Sequence, residues 1–254
     1  MKRRVFLGAT GSLASVGTLA YTTREPIETL EIRFWLSERA ASYDGAVDRI
    51  FEYLDALLSL EFWTLDLSFG GTVQVSTEDG ARVTSRGEWP AAILSGAIGR
   101  RDITPAADVN VLVTDGQMTQ APTGYGLPHI ASVGGARHIA ALESLGELLS
   151  SPDADADRKI VPNRRTTRTM QILVHEIGHA LGLGHDHGVS FRYGDAIVAT
   201  PMLSSYAWTD DYDGDQSRCG TSYADPAGRS RKLSLAFSAC ARRELADYSG
   251  GITG

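Results

Sequence analysis

The chain has 254 residues, room for one good-sized domain or two small ones, and its 43% hydrophobic and 22% charged content suits a globular protein with a sizeable core. A net charge of -7 argues against a broad nucleic-acid-binding face. Two cysteines are too few for a disulfide-framed scaffold.

Residues 1–20 read as an export signal rather than as part of the fold. Lys2, Arg3 and Arg4 precede a short, mildly apolar stretch rich in Gly, Ala and Ser, and Thr18-Leu19-Ala20 offers small residues for cleavage. The layout resembles a twin-arginine signal; an ordinary secretory signal with two chance arginines is the alternative, and both export the protein. The stretch is too short and too weakly apolar for a stable membrane span, and no other segment is better suited. Cleavage would lower the basic count from 24 to 21 against 31 acids, a net charge of -10. An acidic surface of that kind fits secreted proteins.

Residues 30–36 alternate and carry aromatic and branched side chains, which predicts a strand. Ala46, Val47, Ile50, Phe51, Leu54, Leu57 and Leu58 then recur at helical spacing. Two strands are expected at 64–69 and 72–76 around Gly70-Gly71, a short helix at 90–98, and a buried strand at 108–113 closed by the turn Asp115-Gly116. The stretch 129–133, flanked by Pro128 and glycines, reads as a short strand at a sheet edge. Residues 151–157, alternating Asp with Ala, read as a loop. A helix is expected from Thr166 or Thr167, with Met170, Leu173, Val174, Ile177 and Leu181 on its apolar face and Gly182 and Gly184 stopping it. Regular pattern then fades until a final helix at 233–246. The expected class is α/β (α+β), with a loop-rich C-terminal portion.

The chemistry concentrates in His175-Glu176-Ile177-Gly178-His179-Ala180-Leu181-Gly182-Leu183-Gly184-His185. Positions four apart share one helix face, so His175 and His179 can present imidazoles to one ion. Glu176 sits where its carboxylate can reach a water on that ion. A catalytic zinc needs a third protein ligand and an open position; His185 supplies the ligand if the helix ends abruptly, which the positive φ tolerated by Gly182 allows. With six histidines in the chain, these identities would coincide by chance in roughly 1 in 10⁵ such sequences, so histidines on a plain helix are the weaker reading.

The segment resembles the metzincin signature of zinc peptidases, a His-Glu-x-x-His-x-x-Gly-x-x-His run followed by a methionine turn. Thr200-Pro201-Met202-Leu203 lies downstream, and the resemblance makes Met202 the hydrophobic floor beneath the ligands, against the plainer role of a gap-filling methionine. Asp186, next to His185, and Phe237-Ser238-Ala239-Cys240 are similar to the adamalysin (reprolysin) branch, where the aspartate is buried and pairs with structural groups; Pro201 before Met202 departs from that branch. The resemblance implies a twisted, mostly parallel sheet with an antiparallel edge strand, an active-site helix, and a C-terminal subdomain ending in a helix. It places one catalytic domain at 21–254, with an upper subdomain at about 29–182 and a lower one at about 183–250. Its implied activity is hydrolysis of peptide bonds by a zinc-activated water, with Glu176 as general base and then general acid and with substrate extended along the edge strand near 129–133.

Other residues invite weaker claims. Tyr206 follows the methionine turn, where some metzincin branches bring a tyrosine to the metal; its longer spacing here favours packing. His187 reads as a surface residue, since a zinc with an open position needs no fourth histidine, and His129 and His138 read as ordinary. Asp210, Asp211, Asp213 and Asp215 partly resemble a calcium loop but lack its closing Glu, so a solvated acidic loop is expected rather than calcium. Cys219 and Cys240 are expected to pair in an exported chain, with two free thiols as the alternative. The expected partner is a peptide or protein substrate, with no nucleic acid and a monomeric chain. The competing functions are a zinc-bearing peptide-binding module without proteolysis, against which intact Glu176 argues, and a metal hydrolase of small amides or esters.

Overall fold

The structure is a computed structural model that describes residues 25–116, 124–203, 219 and 227–250. The signal-like segment, Tyr206 and the acidic stretch 210–215 lie outside the described residues. No helix among the described residues is long and apolar enough to cross a membrane.

Two sheets organise the chain. The first has five strands in the order β2-β1-β3-β5-β4: β1 (Thr29–Ser37), β2 (Thr64–Val73), β3 (Val109–Val113), β4 (Gly124–Leu127) and β5 (Ile130–Val133). All neighbours run parallel except β4, which is antiparallel to β5 at one edge. The alternation of β1 sends Leu30, Ile32 and Phe34 to one face. There they meet Ile50, Tyr53, Leu54, Leu57 and Leu58 of α1 (Ala46–Leu58) and Met170, Leu173, Val174 and Ile177 of α6 (Arg165–Ala180) in one core. Trp35 and Leu112 point to the opposite face, under Val83 of α2 (Gly80–Ser85) and Trp89, Ala92 and Ile93 of α3 (Glu88–Ala97). Helices therefore cover both faces, as a mostly parallel sheet requires. Two five-residue helices, α4 (Ala136–Ala140) and α5 (Leu145–Leu149), complete the core ahead of α6. A Ser144–Glu147 capping box sets the start of α5.

Several expectations need correction. The strands anticipated at 64–69 and 72–76 are one strand, β2, carrying a bulge: Phe34 pairs with Phe69 and Trp35 with Gly71, so Gly70 is left over. A Cβ on Gly70 would fall on the Trp35 indole, and glycine is what lets that ring cross the strand. The segment 129–133 is not the edge. Its strand, β5, lies between β3 and β4, and the edge is β4, joined to β5 by the turn Pro128-His129 with His129 at φ 68°. Proline and glycines there announced the turn and β4, not an exposed β5.

The portion after the motif is less loop-rich than expected. It carries β7 (Ser190–Tyr193), β8 (Ala196–Ala199) and β9 (Ser230–Ser234), which with β6 (Ile160–Pro162) form a second sheet in the order β6-β9-β8-β7. The pairs β7–β8 and β6–β9 are antiparallel, whereas β8 and β9 run parallel. The final helix, α7 (Ala239–Ala246), begins six residues later than anticipated. Ser238 caps it by accepting from the Ala241 N–H at 3.0 Å, and Leu233 belongs to β9.

Candidate metal centre

Helix α6 is buried on nearly every side, which fixes its rotation about its own axis. The Thr167 hydroxyl donates to the Pro162 carbonyl and accepts from the Arg164 N–H, setting the start. The end is a Schellman turn: Gly182, at φ 89°, donates its N–H to His179 O, and Leu183 donates to Gly178 O. That exit folds the chain back, and the short 3₁₀ turn His185–His187 returns His185 to the two histidines of the helix.

One ring nitrogen from each of His175, His179 and His185 lies within 4.8 Å of the others, and the Nε2 atoms of His179 and His185 are 3.0 Å apart. Two nitrogens on one tetrahedral ion, each about 2.0–2.1 Å from it, are separated by about 3.4 Å, so the cluster needs only a slight adjustment to close on a metal. Backbone carbonyls orient two of the rings: His175 Nδ1 lies 2.6 Å from Pro201 O and His179 Nδ1 lies 2.8 Å from Leu183 O. A carbonyl oxygen can only accept, so both Nδ1 atoms carry the proton and both Nε2 lone pairs are left for an ion. Burial pushes the His175 imidazole down to about 3 and also lowers His179 and His185, so the rings are neutral, as ligation requires. The residues present therefore fit a metal ion.

Glu176 projects from the same helix, is almost fully buried, and has its carboxyl pushed up to about 8 by that burial. Beneath the helix, Met202 is buried and its sulfur packs against Gly178, where any Cβ would overlap it; Phe237 reaches the same spot. The turn Thr200–Leu203, closed by the Leu203 N–H to Thr200 O at 3.0 Å, therefore supplies both a packing side chain and the carbonyl that holds His175.

Asp186 is half-buried, with Oδ1 3.3 Å from His187 Nδ1, and is more exposed than the resemblance implies. His187 is buried, not on the surface: its Nδ1 accepts from the Gly184 N–H at 3.0 Å, and its carbonyl accepts from the Ser238 hydroxyl. His129 holds the β4–β5 turn, with its N–H on Ala180 O at the end of α6 and its ring on Asp108 O. His138 lies in α4, and burial together with Arg165 and Arg137 lowers it. Cys219 and Cys240 form a disulfide with Cα atoms 5.7 Å apart, tying residue 219 to the start of α7.

Sequence reasoning missed the carbonyls of Pro201 and Leu183 and the two glycines of β4, Gly124 and Gly126, which face α6. Backbone acceptors leave no residue-type signature. The alternating Gly-Tyr-Gly-Leu of β4 is a strand pattern with one bare face, but nothing in it says what stands across from that face.

No family profile matches the chain, and no curated protein matches it.

Proposed function

We propose that this chain is a zinc-dependent endopeptidase of the metzincin type, exported in life and built as one catalytic domain. The observation that carries the reading is the convergence of three neutral imidazoles, two of them fixed by backbone carbonyls, beside a buried glutamate on the same helix. His175, His179 and His185 would hold the ion. Bound there, zinc supplies Lewis acidity toward a carbonyl and acidifies a water.

Glu176 would take up a proton at a carboxylate oxygen and pass it to the leaving amine, the nearby cation offsetting the burial that raises its carboxyl. Met202, Gly178 and Phe237 keep the helix from settling under the ligands. The edge strand β4 has no further strand beside it among the described residues, and its outer backbone groups suit an extended peptide. The disulfide is compatible with an extracellular setting.

The deciding experiment measures zinc content and cleavage of a quenched peptide library for wild type and Glu176→Ala. Both proteins are expected to hold one zinc, with cleavage falling by about 10²–10⁴-fold in the variant. Zinc without cleavage in the wild type would instead identify a peptide-binding module, and a wild type that takes up no zinc would sink the reading.

A further inference from the structure

Strand β4 places Gly124 and Gly126 on one face and Tyr125 and Leu127 on the other. Glycine in a strand is destabilising relative to alanine, so two on one face of a four-residue strand call for a reason. Conformation is not the reason, because neither glycine is among those with positive φ. Space is. A Cβ on Gly124 would stand 2.6 Å from Glu176 Cγ and 2.8 Å from its Cδ, with the carboxylate oxygen Oε1 nearer still. A Cβ on Gly126 would stand 2.5 Å from His179 Cβ and 2.7 Å from the Glu176 carbonyl oxygen. Such approaches mark places where something must come close to bare backbone.

We infer that Gly124 and Gly126 are positioning residues for the centre: the first leaves the seat in which the Glu176 carboxylate lies, and the second sets the gap between β4 and the helix that carries His179. The two overlaps differ in kind. At Gly124 the obstacle is side chain alone, from Cγ of Glu176 to its carboxylate, so an added methyl displaces that side chain and leaves the helix in place. At Gly126 the obstacle is the helix backbone and the root of a ligand side chain, so an added methyl forces strand and helix apart. This inference rests on the reading of Glu176 as the base, but its physical content, contact between Glu176 and β4, can be measured without catalysis.

The test compares Gly124→Ala, Gly126→Ala, Glu176→Ala and the double variant Gly124→Ala/Glu176→Ala. Gly146→Ala serves as control, since its methyl meets nothing within 4 Å. Melting temperature, zinc affinity by chelator competition, and peptide hydrolysis are read for each.

Gly124→Ala is expected to melt about 3–8 °C below wild type, to bind zinc within about twofold of wild type, and to lose about 10²-fold in kcat with KM little changed. In the Glu176→Ala background the same substitution is expected to leave the melting temperature unchanged, because its obstacle is gone. Gly126→Ala is expected to weaken zinc binding by about 10-fold or more. A Gly124→Ala protein that folds only when Glu176 is also truncated supports the inference.

A Gly124→Ala protein with wild-type melting and hydrolysis overturns it. So does an equal melting loss in both backgrounds, a double variant that fails to fold, or loss of zinc from Gly124→Ala itself. If wild type cleaves nothing while the melting coupling is present, the peptidase reading falls and the seat for Glu176 stands.

Discussion

Met202 sits with its sulfur against the one bare position on the underside of α6, Gly178, and next to Phe237. Truncation there opens a void beneath the turn of helix between His175 and His179, where a rigid surround relaxes poorly. Met202→Ala is expected to lose about 2–4 kcal/mol in urea denaturation, whereas the volume-conserving Met202→Leu loses less than about 1.5 kcal/mol. The residues of the centre divide by how they could be read. His175, Glu176, His179 and His185 were legible because helical period and a glycine exit dictate that they meet. Gly124, Gly126 and the carbonyl of Pro201 were not, because their importance lies in what stands across from them some 25–55 positions away.

Helix α6 owes its abrupt end to a single left-handed glycine, and the chain after it is fastened again by the Cys219–Cys240 bond at the head of α7. The bond spans 21 residues, so its constraint on the unfolded chain is worth about 3 kcal/mol in the chain-entropy treatment. Reduction, or Cys240→Ser, is expected to lower the urea midpoint accordingly, and equal midpoints with and without reductant would show that the loop is already held by other contacts. Among the elements, β1, α1, α3 and α6 were readable because each is nine residues or longer and keeps one period throughout. The strands of the second sheet run three to five residues, below the length at which alternation can be told from chance. Apart from the β7–β8 hairpin their pairing is also non-local, with Ile160 of β6 meeting Ser234 of β9.

At the scale of the whole molecule, Asp115 is the most heavily engaged buried charge among the described residues, standing at the ends of the parallel strands. Its fully buried carboxylate accepts from Arg137 Nε at 2.9 Å and Tyr43 Oη at 2.7 Å, with Arg39 at 3.2 Å. Its own N–H donates to Glu78, which also accepts from Ser37 at the end of β1. Burial pushes the carboxyl up, but the hydrogen bonds from Arg137 and Tyr43 outweigh it and hold the group below the ordinary carboxylate value. A carboxyl depressed in the folded state contributes stability that is present above its unfolded value near 3.9 and is lost as pH falls through the folded value. Asp115→Asn is therefore expected to lose about 2 kcal/mol at pH 7, less than a fully buried pair because both arginines are partly in solvent. Its stability should also decline less steeply than wild type between pH 5 and pH 2. Urea midpoints across that range give the answer, and parallel acid limbs would remove Asp115 from the account.

The second sheet has a consequence for the order in which the centre can be made. Gln171, one turn before His175, donates to Ala199 O of β8 and to Ser234 O of β9, both at 2.8 Å, and β6, just ahead of the helix, pairs with β9. The underside of α6 waits for Met202 and Phe237. A chain emerging from the ribosome thus displays the complete histidine motif some fifty residues before it holds the pieces that fix it. The histidine cluster thus gains its rigid support only after residues 230–237 are made, so chain order itself delays its assembly.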